Sequence, residues 1–187
     1  FSDLDDLIDD ADDWDTIILD RNYNNTDDFS MSGVKISNNL IIDGQGHTLD
    51  GNGISRIFKV DNEFDDYTLE VRNIVFVNGY YVNDDEQKAY VSGGAIYSFN
   101  EGGVTAVNCT FINNHAKYYG GAMHMGTALN CTFIGNSAYD GGATARVNAK
   151  FCRFENNRGD SMYKGSRFLC LFDEDKCEDT EIIAPTL

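Results

Sequence analysis

Apolar and polar residues alternate with period two through much of the chain. In Asn108-Cys109-Thr110-Phe111-Ile112-Asn113-Asn114, Cys109 and Phe111 share one face while Asn108 and Thr110 share the other. The pattern returns as Asn130-Cys131-Thr132-Phe133-Ile134-Gly135-Asn136 and fades into Phe151-Cys152-Arg153-Phe154-Glu155-Asn156-Asn157. Such alternation predicts short half-buried strands with the apolar side inward. Between the copies a second tag recurs: Gly93-Gly94-Ala95, Gly120-Gly121-Ala122 and Gly141-Gly142-Ala143. The phenylalanines of the three copies stand 22 and 21 residues apart. That period is too short for helical-pair repeats of roughly 33 residues, and it is the signature of a solenoid. The predicted fold is all-β: a right-handed parallel β-helix with one repeat per rung and roughly six or seven rungs.

Stacking explains why identities repeat. Phe76, Phe111, Phe133 and Phe154 are expected to form an aromatic column inside the coil, with Cys109, Cys131 and Cys152 as a column of small apolar side chains beside it. Asn114, Asn136 and Asn157 are expected to form an amide ladder at the following turn. Leu129 aligns with Lys150, which predicts a distorted or frayed last rung. Earlier coils fit more loosely. Leu40-Ile41-Ile42-Asp43-Gly44-Gln45-Gly46-His47-Thr48-Leu49-Asp50-Gly51 reads as strand, tight turn, strand, and Ile74 occupies the later cysteine position.

An open coil end invites aggregation unless covered. Phe1, Leu4, Leu7, Ile8 and Ala11 follow helical spacing, with Ser2 as N-cap and Asp5 three residues on, so 2–12 reads as a capping helix. Trp14 and Ile17-Ile18-Leu19 are expected to extend that seal. The predicted organisation is a cap over 1–20, the β-helix over 21–180 and a linker over 181–187 leading to further domains. The start at Phe1, without an initiator Met or signal peptide, reads as a piece cut from a longer precursor.

Charge narrows the function. Thirty-one Asp and Glu against fourteen Lys and Arg give a net charge of −17. This argues against nucleic acid, whose binding needs a basic footprint, and against anionic membrane surfaces. No stretch has the apolar length of a bilayer span. Three inward cysteines and three scattered histidines do not supply the four converging ligands of structural zinc, and no pattern points to a cofactor. Cys170 and Cys177, flanking Leu171-Phe172-Asp173-Glu174-Asp175-Lys176, are the candidate disulfide.

Outer positions after the glycine tags are Tyr97, His124 and Ala145, and beside the phenylalanine column Thr110, Thr132 and Arg153. None is a carboxylate, so an enzyme is not expected: cleavage of sugar chains uses paired carboxylates or a carboxylate-held Ca²⁺. His124 is read as exposed on a strand. The stretch between Asn78 and Gly93 is longer than its counterparts in later rungs, and insertions in solenoids often form the binding face. Tyr80, Tyr81 and Tyr90, with Asp84, Asp85 and Glu86, are therefore the candidate ligand-binding residues, and the Tyr97–His124 face is the alternative.

The Phe-x-x-Asn and Gly-Gly-Ala tags resemble the polymorphic membrane protein repeats of chlamydial surface proteins. The fuller pattern, with its cap, the Asp43-Gly44-Gln45-Gly46-His47 turn and rungs ending in Asn-Cys-Thr-Phe-x-x-Asn, is similar to adhesin-like proteins of archaeal methanogens. That resemblance implies a β-helix of the pectin-lyase-like superfamily on a secreted, cell-surface protein. It implies adhesion to a glycan or protein of another cell, with no catalytic residues carried over. The alternatives are a polysaccharide lyase or hydrolase and a non-binding structural stalk.

Overall fold

The computed structural model describes all residues except 27–28, 61–65, 85–86, 88–89, 174–176, 179 and 184–187. Parallel pairing carries the described chain through seven stacked coils. One side is a seven-stranded sheet of Tyr23–Asn24, Thr48–Asp50, Val75–Val77, Thr110–Ile112, Thr132–Ile134, Arg153–Glu155 and Leu171–Phe172. A twelve-stranded sheet wraps most of the rest, because Met123–Leu129, Thr144–Lys150 and Met162–Phe168 run unbroken around a corner, and Tyr80–Tyr81 and His115–Ala116 form a separate two-stranded sheet. Each turns that corner at a residue in the left-handed region: Met125 (φ 61°), Arg146 (φ 56°) and Lys164 (φ 55°). These three residues drop out of the ladder, which resumes in register at Gly126, Val147 and Gly165. Among the described residues no helix is long and apolar enough to cross a membrane.

The expected columns form. Thr110, Phe111 and Ile112 pair with Thr132, Phe133 and Ile134, and these with Arg153, Phe154 and Glu155. The rings of Phe76, Phe111, Phe133 and Phe154 stack nearly parallel at 4.8, 4.8 and 4.9 Å, and Phe172 extends the column at 4.7 Å. Ring spacing thus equals strand spacing, so one residue type fits every rung. The amide ladder is also present: Asn114 Nδ2 donates to Asn136 Oδ1 and Asn136 Nδ2 to Asn157 Oδ1, both at 3.0 Å. The second hydrogen of each amide goes to the carbonyl of Phe76 or Phe111 one coil back. The ladder is thereby tied to the strand backbone at each rung.

The glycine tag divides its labour. The first glycine takes φ near +60° at Gly93, Gly120 and Gly141. A Cβ on the second would run into a neighbouring coil's backbone, as at Gly142 against the Arg158 carbonyl. The alanine that follows is fully buried at 95, 122 and 143.

The cap differs in detail from the expectation. The helix spans Ser2–Asp9 with Phe1, not Ser2, at the N-cap and no side-chain cap bond. The Phe1 ammonium instead donates to the Asn24 carbonyl at 2.8 Å. Phe1, Leu4 and Ile8 are buried against the first coil, whereas Leu7 is exposed. Trp14 and Ile18 also face solvent and take no part in the seal, because the strand Asp15–Ile18 points Ile17 inward and its neighbours out.

Three corrections concern the far end. The last rungs are not frayed at Lys150, which pairs in register with Leu129 and Phe168. Cys170 and Cys177 are both free thiols. Cys170 sits as a fourth member of the cysteine column: its Sγ lies 3.5 Å from the Ala149 carbonyl, as Cys152 Sγ lies 3.4 Å from that of Ala128. Cys177 instead pairs opposite Met162 on another side of the coil and accepts from Arg167 Nη1 at 3.5 Å. A column and a separate strand set the two thiols apart. Finally, Glu181–Ile182, read as linker, pairs with Ser166 and Arg167 of the coil. Residues 184–187 of that linker lie outside the described residues.

Candidate functional site

On the side of Ile96–Tyr97 the strands point Ile96, Met123 and Met162 inward and Tyr97, His124, Ala145 and Tyr163 outward, in register across successive coils. Outward does not mean exposed here. Tyr97 and His124 are 2% and 3% exposed, and their rings lie parallel at 5.3 Å. The next outward residue is Ala145, whose missing bulk leaves a recess. Tyr119, in the turn before Gly120, leans across it to stack on Tyr163 at 5.7 Å and 15°.

The result is a groove of about 440 Å³. Ala145 and His124 form its floor, Tyr119 and Tyr163 its aromatic wall, and the corner residues Met125, Arg146 and Lys164 its rim, with Gln87 opposite. Lys164 Nζ also lies 5.1 Å from the Tyr163 ring. His124 is the electrostatic oddity. Its Nδ1 has no hydrogen-bond partner among the described residues although the side chain is buried. Burial pushes its pKa down to about 4, with a smaller opposing effect from the Ser98 backbone and further lowering by Arg146 and Arg56. The ring is therefore neutral at physiological pH, and Nδ1 donates or accepts according to tautomer. A buried imidazole nitrogen without a partner costs roughly 1–3 kcal/mol unless a ligand or water meets it.

The residues expected to bind do not converge on this groove. Tyr80–Tyr81 is not a free loop but a strand paired with His115–Ala116. The Tyr80 ring stacks on His115 at 5.2 Å. Tyr81 is 3% exposed beneath the Arg56 guanidinium, which lies 3.9 Å from its ring. Asp84 is exposed and ion-paired with Lys117. Asp85 and Glu86 lie outside the described residues. Tyr90 packs edge-on against Phe99 at 5.5 Å, and its carbonyl accepts from Arg56 Nη2 at 2.9 Å. Tyr81 and Tyr90 thus meet around Arg56, which is 1% exposed and donates also to the Gly93 and Ser92 carbonyls. Two members of the expected site are packing residues of this guanidinium cage.

His124 is not exposed as its strand position predicts, because the rings of Tyr97 and Tyr119 lie 5.3 and 6.3 Å from its own. Tyr119, Arg146, Tyr163 and Lys164 were not singled out. The sequence carries one signal: at the same offset after the three tags stand Tyr97, His124 and Ala145, and Tyr163 holds that offset after Gly159-Asp160-Ser161, so a single small residue falls between rings.

Residues 108–122 match the family model described as the Chlamydia polymorphic membrane protein (Chlamydia_PMP) repeat. The matched stretch holds the Phe111 strand, Asn114 of the ladder and the tag Gly120-Gly121-Ala122, so the similarity lies in the scaffold and reaches the groove only at Tyr119. No curated protein and no solved structure matches the chain.

Proposed function

We propose that this chain is an adhesin-like, surface-displayed β-helix domain that binds a glycan of another cell in the Tyr119–Tyr163 groove. Support for surface display comes from the similarity of 108–122 to a repeat of polymorphic membrane proteins. The observation that carries the binding reading is the unpartnered Nδ1 of buried His124 at the floor of a groove walled by two tyrosines. Aromatic faces stack on the C–H faces of a sugar ring. A hydroxyl both donates and accepts, so it satisfies Nδ1 in either tautomer. Binding without turnover is favoured because the described lining residues include no carboxylate, the usual acid and base of glycoside cleavage. The archaeal adhesin-like relationship and secretion belong to this same reading.

The test is a glycan array probed with the chain, with His124→Phe and with Tyr163→Ala. The expected result is selective binding that both variants weaken about tenfold or more while melting stays close to that of the unaltered chain. Equal binding by all three proteins would move the site elsewhere. Newly formed reducing ends or unsaturated sugars on incubation would make the protein an enzyme instead.

A further inference from the structure

The charge of the groove runs against the charge of the chain. The protein carries 31 acidic residues and a net charge of −17, yet the described residues lining the groove include two cations and no carboxylate. Four cations elsewhere on the surface find acidic partners, Arg21 with Asp3 and Asp20, Arg72 with Glu70, Lys117 with Asp84 and Arg153 with Glu155, while Lys150 and Arg158 stand without one among the described residues. Among the described residues Arg146 and Lys164 make no such pair. Both stand at the coil corner in the left-handed region, at φ 56° and 55°. The corner conformation sets them one coil apart on the same rim, beside the stacked tyrosines.

Floor and rim therefore ask for different groups. The neutral imidazole of His124 suits a hydroxyl, and the unpaired guanidinium and ammonium suit an oxyanion, to which an arginine presents a planar fork of donors. A single ligand meeting both is a sugar that carries its own negative charge. Building on the glycan reading above, we infer that the groove selects an acidic carbohydrate, stacking it on Tyr119 and Tyr163, bonding a hydroxyl at His124 and pairing its carboxylate or sulfate with Arg146 and Lys164. Net repulsion between such a ligand and the rest of the protein then serves selectivity, because a polyanion is favoured only where this rim faces it.

The experiment immobilises uronate-containing and sialylated oligosaccharides beside their carboxyl-reduced forms, and sulfated oligosaccharides beside their desulfated forms, and measures affinity of the chain at low and high salt. An acidic member is expected to bind about tenfold or more tighter than its neutralised partner at low salt, with the gap closing as salt rises. Whether the reduced or the desulfated pair shows the gap identifies the oxyanion. The double variant Arg146→Gln with Lys164→Gln is expected to bring acidic affinity down to that of the neutral form. Lys150→Gln, outside the groove, is expected to leave the preference intact, which separates a local rim from bulk charge. Equal affinity for acidic and neutralised forms, with loss in His124→Phe, would overturn the acidic preference and leave glycan binding standing. Failure to bind any form would overturn both.

Discussion

Two rows of side chains climb this coil on the same rungs. Inside, Phe76, Phe111, Phe133, Phe154 and Phe172 repeat one residue at spacings of 4.7 to 4.9 Å. Outside, Lys35, Lys59, Tyr97, His124, Ala145 and Tyr163 occupy equivalent positions on paired strands with no single residue type kept along the row. Both rows obey the same ladder, so backbone geometry does not explain the contrast. Inside, each residue's neighbours are copies of itself in a closed volume, and the ring that packs on one rung packs on the next. Outside, nothing compels identity, and a change such as Ala145 opens space instead of a void. Repetition marks scaffold, and its interruption marks the groove.

The strongest challenge to this contrast is truncation within the inner row. Phe133→Ala is expected to cost about 3–5 kcal/mol, since Phe133 is fully buried with rings stacked on both sides. Thr132→Ala on the same strand should cost well under half of that. Similar midpoints for both variants in denaturant melts would dissolve the distinction between the faces.

The ladder beside that row sharpens the comparison. Asn136→Ala removes both donors to Asn157 and the Phe111 carbonyl and the acceptor for the Asn114 backbone N–H. A loss of about 2–4 kcal/mol is expected from the buried groups left unmatched. Asn130, whose amide bonds to Asn108 at 2.8 Å on the exposed side, should tolerate Ala at less than half that cost. Equal costs would show that burial is not what gives the inner ladder its strength.

The outer row reveals itself through pH. His124 is neutral in the fold with a pKa of about 4 against the ordinary 6.5, so between those values the unfolded chain binds more protons. Its contribution is complete above about pH 6.5 and is lost as pH falls toward 4, on the order of 3 kcal/mol in all. His115, also lowered by burial, acts in the same direction. His124→Phe keeps a ring against Tyr97 and should flatten most of this slope. A slope unchanged by the substitution would place the titrating group elsewhere.

The smallest effect concerns the thiols, read by alkylation and mass. Cys109, Cys131 and Cys152 are buried and should resist modification, with the Cys131 and Cys152 thiols pushed up to about 12 by the neighbouring cysteine's hydrogen bond and by burial. Half-buried Cys177 should react first and Cys170 more slowly, since the hydrogen bond with Cys152 and burial push its thiol up as well, and the intact mass should show five free thiols. A bridge between Cys170 and Cys177 would contradict their separate placement in the coil.

Legibility followed the same division. Phe-x-x-Asn and Gly-Gly-Ala announced the coil because stacked interiors impose identity at a fixed period, so the aromatic column, the amide ladder and the buried cysteines were all readable. Ser2 misled because a good capping residue does not choose the helix start when Phe1 is drawn into the core. The Tyr80–Tyr90 stretch departs from the expected free loop because Tyr80–Tyr81 pairs as a strand with His115–Ala116. In the fold Arg56, distant in sequence, gathers Tyr81, Tyr90, Ser92 and Gly93 around one buried charge.

A parallel coil of short strands, its period, the presence of a cap and its three inward columns all follow from the pattern of residues along the chain. Those features depend on contacts between equivalent residues of neighbouring repeats, which recur along the chain and are therefore written into it. The bridging of Ala145 by Tyr119 to reach Tyr163, the burial of His124 Nδ1 with no partner among the described residues, and the placing of Arg146 and Lys164 on one rim emerge only on folding. These contacts join residues at unlike positions of different coils, and their geometry arises only when the corners fold and the coils close on one another.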